Sequence, residues 1–199
     1  MPKTLGCVVM AAGNARRFGE NKLAAELDGR SLIRRALEAV PGEEFKRVAV
    51  VTQYPEVLEL AEQFRFSAVR NEHPDWGISH TIRLGLESLG DCAAAMFLVS
   101  DQPLLKWESV KSLVELWRSQ PEKIAALAHG GVRGNPCVFP ARFFPELLEL
   151  REDHGGNTVI RRHGEDLVLL EAAEVELTDV DTPEALQKLK IKLTKSRNS

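Results

Sequence analysis

The stretch Leu5-Gly6-Cys7-Val8-Val9-Met10-Ala11-Ala12-Gly13-Asn14-Ala15-Arg16-Arg17-Phe18-Gly19-Glu20-Asn21-Lys22 decides how this chain is read. Its first part, Leu5–Met10, is an apolar run of strand length. Its second part turns abruptly to small residues and glycine, punctuated by cations. In an open α/β sheet, ligands bind beyond the carboxyl ends of the strands, which is where such a loop would lie. Small residues let backbone amides approach a phosphate, and Arg16, Arg17 and Lys22 bring positive charge. The loop therefore reads as an anion site. On composition alone it reads equally as a glycine turn with solvated arginines. Two familiar phosphate loops are excluded. There is no Gly-Lys-Ser/Thr, so it is not a Walker A loop, and five residues separate Gly13 from Gly19, so G-x-G-x-x-G is not met.

Outward from this loop, apolar and amphipathic runs alternate. Ser31–Val40 predicts a helix with Leu32, Ile33, Ala36, Leu37 and Val40 on one face, and Ser31 is a fitting N-cap. Arg47–Thr52 predicts a strand, Pro55–Phe64 a helix opened by proline, and Phe66–Val69 a short strand. Ser79–Leu89 predicts a helix, Ala94–Ser100 a wholly apolar strand, and Trp107–Arg118 a helix. Strand and helix in this rhythm imply βαβ units and a mainly parallel sheet covered on both faces. The expected class is α/β, a single three-layer αβα domain with a Rossmann-like sheet over 1–193. After Ser119 the rhythm changes. Ile124–Ala128 is strand-like, His129–Pro136 is glycine-rich, and Val138–Phe139 is a short strand. Pro145–Leu150 and Thr158–Arg162 look helical, Leu167–Glu171 and Val175–Leu177 look like strands, and Pro183–Leu193 is a last helix. The polar residues 194–199 are expected to fray.

Composition narrows the classes. The chain has 199 residues, a net charge of -3, 44% hydrophobic, 28% charged and only 6% aromatic residues. This is an ordinary globular balance, without the basic face and stacking aromatics of a nucleic-acid binder. No apolar run approaches the roughly 20 residues of a membrane helix, and no signal-peptide pattern opens the chain. Cys7, Cys92 and Cys137 are far apart and lack metal or redox spacing, so reduced thiols in a cytoplasm are expected. The histidines show no paired ligand spacing. Trp76 and Trp107 read as packing residues, and Cys137 as a buried small hydrophobe.

The pattern A-A-G-x-x-x-R-x-G-x-x-K after the first strand resembles the MobA/MocA-like nucleotidyltransferases that build on molybdopterin, closest to the molybdenum cofactor cytidylyltransferases. It departs at Ala15, where that family usually has serine. Asn71 with Gly77, Ser79 and Thr81 resembles the family's segment leading into its next helix. Asp101-Gln102-Pro103 stands where the family carries a metal-binding aspartate. Arg133-Gly134-Asn135-Pro136 resembles the R-G-x-P segment of the cytidylyl branch. Asp153-His154-Gly155-Gly156-Asn157 resembles its D-x-G segment, with Asn157 where arginine is common. Asp179-Val180-Asp181-Thr182-Pro183 resembles the closing D-x-D-T-P motif. The resemblance runs from about Leu5 to about Leu189.

The resemblance implies nucleotidyl transfer on a fold of the nucleotide-diphospho-sugar transferase type. The nucleotide half would span about 1–105 and the acceptor half about 106–193. Ala11, Ala12, Gly13, Asn14, Ala15, Arg16, Gly19, Lys22, Asn71, Gly77, Ser79 and Thr81 would bind the nucleotide. Arg16 and Lys22 would offset the triphosphate's charge, with Arg17 doing the same or facing solvent. Asp101 and Asp181 would hold Mg²⁺, with Mn²⁺ as a substitute, since magnesium takes one or two carboxylates plus phosphates. Read as residues alone, Asp101 has the alternative of capping a turn before Pro103, and Asp181 the stronger alternative of capping the Pro183 helix. Arg133, Gly134, Asn135, Pro136, Asp153, His154 and Gly155 would bind the acceptor. In the resembled family, alanine at the position of Ala12 goes with CTP and glycine with GTP. The implied reaction is CMP transfer from CTP to Mo-molybdopterin, the product passing to a molybdenum hydroxylase or its chaperone. A sugar or polyol phosphate acceptor, GTP as donor, and a non-catalytic binding or chaperone protein are the alternatives.

Overall fold

The computed structural model of the protein describes residues 4–13 and 21–197. Strand β1, Leu5–Ala11, continues the apolar run one residue beyond its expected end. A small hairpin follows, β2 (Glu26–Leu27) and β3 (Arg30–Ser31), closed by Asp28 and Gly29 at φ 51° and 74°. Asp-Gly is the favoured pair for a turn with both central φ values positive. Helix α1 is Leu32–Glu38, and Ser31 Oγ caps it by accepting from the Arg34 amide at 3.3 Å. The next elements are β4 (Arg47–Thr52), α2 (Pro55–Gln63), β5 (Ser67–Arg70), α3 (Ile78–Leu89), β6 (Ala94–Val99) and α4 (Trp107–Ser119). Their bounds lie within a residue of the expected ones.

The last third comprises β7 (Ile124–His129), β8 (Val132–Pro140), α5 (Phe144–Glu149), α6 (Gly156–Arg162), β9 (Leu167–Glu171) and α7 (Pro183–Arg197). Three expectations are corrected here. Residues 133–136 lie within β8: Arg133 pairs with Ala128 of β7, residues 134–136 span an irregularity in that ladder, and pairing resumes at Cys137, where β6 joins as the second neighbour. Residues 175–177 belong to a 3₁₀ turn, Glu174–Leu177, and form no strand. Helix α7 runs past residue 193, and Thr194 Oγ1 donates to the Lys190 carbonyl at 3.0 Å inside it.

The seven strands of the main sheet lie in the order β5-β4-β1-β6-β8-β7-β9. All neighbours are parallel except those of β8. The chain moves outward from β1 through β4 to β5, then returns to the other side of β1 at β6. That reversal makes a topological switch point between the carboxyl ends of β1 and β6, the crevice where ligands bind in such sheets.

The period-two alternation of β1 divides the core. Cys7, Val9 and Ala11 face one apolar layer with α1, α2 and α4, while Val8 faces another with α3, α5 and α6. Helix α3 lies close on β1, since a Cβ on Gly85 would stand 2.4 Å from Val8 Cγ1. Trp117 of α4 is fully buried, and truncating it to alanine would cost about 3–5 kcal/mol. A third cluster joins Leu27 and Leu32 to Val180, Leu186 and Leu189, anchoring α7 beside the hairpin. Among the described residues, no helix is long and apolar enough to cross a membrane.

Candidate active site

At the switch point the backbone after β1 is fixed by side chains of its neighbours. Ser100 Oγ donates to the Met10 carbonyl at 2.9 Å, and Thr52 Oγ1 to that of Ala11 at 2.9 Å. Gln53 Nε2 donates to the Ala12 carbonyl at 3.0 Å, and the Tyr54 hydroxyl to that of Gly13 at 3.1 Å. Sequence reasoning missed Thr52, Gln53, Tyr54 and Ser100. The signal available was their place at the carboxyl ends of two strands beside the loop. Asn14, Ala15, Arg16, Arg17 and Gly19 lie outside the described residues.

Lys22 follows the loop and opens a 3₁₀ turn, Lys22–Ala24, capped by Asn21, whose side chain accepts from the Leu23 amide at 3.1 Å. Its Nζ lies 2.9 Å from Asp101 Oδ2 and 2.9 Å from Asp181 Oδ1. Residues 79 and 159 positions away in sequence thus meet on one ammonium. Burial works to lower the Lys22 ammonium, but the facing carboxylates of Asp101 and Asp181 outweigh it and hold it above its usual value. Asp179 stands beside them. Its carboxyl is pushed up first by burial and then by the negative charge of Asp101, with Asp181 adding to it.

A divalent cation fits these donors. Asp101 Oδ1 is buried and has no hydrogen-bond partner among the described residues, while Oδ2 and Asp181 Oδ1 already converge on one cation. The described residues contain no cluster of three ligating side chains. Two carboxylates completed by phosphate oxygens and water are the usual magnesium arrangement.

A cleft of about 370 Å³ opens here, lined by Ala12, Gly13, Lys22, Thr81, Asp101 and Asp153 among others. Gly77 caps α3 at φ 84°, and the Ser79 amide donates to the Glu152 carbonyl at 3.0 Å, so the start of α3 meets the 152–155 loop. Asn71 is 2% exposed and is absorbed into the frame, accepting from the His73 amide at 2.9 Å and donating to Thr81 Oγ1 at 3.3 Å.

A second cavity of about 150 Å³ shares Met10, Ile78 and Val99 with the first. It has an apolar floor and a rim of Arg133, Asn135, Gly155 and Asn157. The Arg133 guanidinium is held by the Gly134 carbonyl at 3.0 Å, Cys137 Sγ at 3.2 Å and Asn157 Oδ1 at 3.2 Å. Burial pushes the Cys137 thiol up, partly opposed by Arg133. Pro136 is buried in β8. His154 is exposed, with Nδ1 3.0 Å from the Arg151 carbonyl. Trp76, expected to pack inside, is 53% exposed and stacks on His73 with ring centroids 4.1 Å apart.

Comparison with known proteins identifies the family and the fold. Residues 7–167 match the MobA-like NTP transferase domain. The purine catabolism protein PucB of Bacillus subtilis is 29% identical over 191 residues, covering 89% of this chain and 91% of that protein. A nucleotidyl transferase from Methanothermobacter has a TM-score of 0.80 at 20% identity, over 97% of this chain and 99% of that one. Rv0371c of Mycobacterium tuberculosis in complex with manganese gives 0.72 at 17% identity, over 94% and 98%. A CMP:2-keto-3-deoxy-manno-octonic acid synthetase complexed with CTP gives 0.74 at 15% identity, over 97% and 99%. At such identities the structural likeness speaks for the fold alone. The family match extends from the first strand through β7 and β8 to the start of β9, so both cavities lie within it, and the chain belongs to the MobA-like NTP transferase family of nucleotidyltransferases.

Proposed function

We propose that the protein transfers CMP from CTP to Mo-molybdopterin, releasing pyrophosphate. The observation that carries this reading is the convergence of Lys22, Asp101 and Asp181 at the switch point, beside a cleft that shares wall residues with a second, apolar-floored cavity. The first cleft suits the nucleotide and the second the acceptor, whose terminal phosphate would lie between them. The CTP-bound fold relative and the manganese-bound one support the donor and the cation. A relative named for purine catabolism is in keeping with a product used by a molybdenum hydroxylase.

Transfer of this kind depends on positioning and charge neutralisation. A bound divalent cation would neutralise charge on the triphosphate, held there by Asp101 and Asp181. Lys22 would exchange its carboxylate partners for phosphate oxygens and stabilise the negative charge that builds on departing pyrophosphate. The acceptor phosphate is mostly ionised at pH 7, its second pKa being about 6, so no protein base is assigned. Ala12 lines the cleft, where its methyl group would narrow the space open to a purine. Arg133, fixed by Asn157 and Cys137, would receive an oxygen of the acceptor.

The test is pyrophosphate release with Mg²⁺ or Mn²⁺, one nucleotide at a time, and Mo-molybdopterin or a panel of sugar and polyol phosphates. Release that requires CTP and molybdopterin together is expected. Release with a sugar phosphate, or with GTP, would replace the acceptor or the donor. Nucleotide binding without turnover would point to a binding protein. Asp101→Ala is expected to abolish turnover with the fold retained.

A further inference from the structure

Asp101 leaves the end of β6, but Asp181 lies in a segment that belongs to no strand, between the Glu174–Leu177 turn and α7. Its position opposite Asp101 has to be set by something other than the sheet. Backbone and side-chain contacts from Asp101, Gln102 and Lys106 dock this segment. The Val180 amide donates to the Asp101 carbonyl at 2.8 Å. Gln102 Nε2 donates to Asp179 Oδ1 at 2.9 Å and to the Leu177 carbonyl at 3.3 Å. The Lys106 amide donates to Glu176 Oε2 at 3.1 Å.

We infer that Gln102 is a positioning residue that holds Asp181 where it and Asp101 reach the same cation. Gln102 is 2% exposed, so its amide works in a site from which water is largely excluded. It grips the segment on the residue two before Asp181 and again at Leu177. A neutral amide is the side chain that does this without disturbing the charge. A carboxylate here would add to Asp101, Asp179 and Asp181. An ammonium would neutralise them and compete with the metal. An apolar side chain would remove the donor shared by the Leu177 carbonyl and the Asp179 carboxylate, both only partly shielded from water, so the segment is free to move toward solvent and away from Asp101. This inference rests on the reading that Asp101 and Asp181 share a divalent cation. It does not depend on which nucleotide or acceptor is used.

The experiment titrates Mn²⁺ alone into the intact protein, without nucleotide, and follows loss of the free-ion EPR signal. Thermal unfolding is measured in parallel. Gln102→Met is expected to weaken Mn²⁺ binding about tenfold. Gln102→Asn keeps the amide but withdraws it by one methylene, so it is expected to weaken binding as well. Asn also serves as the deciding variant if Met does not fold. A weakening of threefold or more in a folded variant supports the role. A smaller change overturns it, whatever happens to the melting temperature, because Gln102 would then only stabilise the fold. Mn²⁺ binding that depends on residue 102 in a protein that never uses CTP would overturn the cytidylyl reading and leave this one standing.

Discussion

Gly77 and Glu152 meet backbone to backbone, so that a Cβ built on Gly77 would stand 2.4 Å from the Glu152 carbonyl carbon and oxygen. The contact joins the segment that starts α3 to the loop that carries Asp153. It also sits at φ 84°, where a side chain is strained. Gly77→Ala therefore faces two costs that cannot be relieved by a rotamer change. A loss of at least about 2 kcal/mol in stability is expected, with activity falling further because both cleft walls shift. Denaturant unfolding together with turnover measures both.

Lys22 bridges two carboxylates that it shares with the expected metal. Removing it with Lys22→Met should have opposite effects on two measurements. Free Mn²⁺ should bind more tightly, because its competitor is gone. Turnover should fall about 100-fold or more, as for loss of one stabilising donor at a developing charge. Mn²⁺ titration and pyrophosphate release on the same preparation check the pair of outcomes.

Asn157 accepts from Arg133 and fixes one side of its guanidinium fork. Arg133→Lys keeps the charge but loses the planar fork, so the acceptor's KM should rise several-fold while the KM for CTP stays put. Asn157→Ala should shift the acceptor's KM in the same direction by less. Equal shifts in both KM values would place Arg133 in the nucleotide cleft instead.

Asp166 receives Arg142 at 3.0 Å and Lys123 at 3.2 Å. The Arg142 hydrogen bond, aided by Lys123, holds its carboxyl below the usual range. A carboxylate lowered on folding stabilises above its unfolded pKa, and that stabilisation is lost as pH falls through the folded value. Asp166→Asn should thus melt lower than the parent at pH 7, and the gap should close below about pH 4. Arg142 and Lys123 reach Asp166 from the solvent side, 44% and 38% exposed, so added salt should also narrow the gap.

The first two thirds of the fold were legible because their apolar runs are long and their periods unmixed. Arg47–Thr52 is the clearest case: β-branched and buried, it forms β4 with the expected ends. Residues 133–136 were not legible as strand. Arg, Gly, Asn and Pro have poor strand propensity, and the chain runs extended through them because it is held by β7 at Arg133 and by β6 and β7 together from Cys137 on. The Asp28-Gly29 turn carried a readable signal, but the strands around it are two residues each, too short for any period to show. Within the site, the pattern in sequence named Lys22, Asp101 and Asp181, and the structure brings them together. Gln53 and Tyr54 escaped notice because their role is to bond a backbone 41 residues away, which no local pattern records.

The pinned carbonyls after β1 have a consequence for polarity. A peptide backbone ordinarily offers a ligand acceptors and donors in equal number. Along Met10–Gly13 every carbonyl already takes a proton from Ser100, Thr52, Gln53 or Tyr54. Met10 and Ala11 belong to the ladders of β1, so the N–H groups that stand beyond the sheet in this stretch are those of Ala12 and Gly13. Each carbonyl keeps a second lone pair, but with one donor already in place it repels an approaching anion less and competes less for a cation or a neutral donor. If the loop takes phosphate as proposed, part of that preference resides in the hydroxyls and amide of neighbouring strands, and changing Thr52 or Gln53, which donate to the Ala11 and Ala12 carbonyls, should blur it.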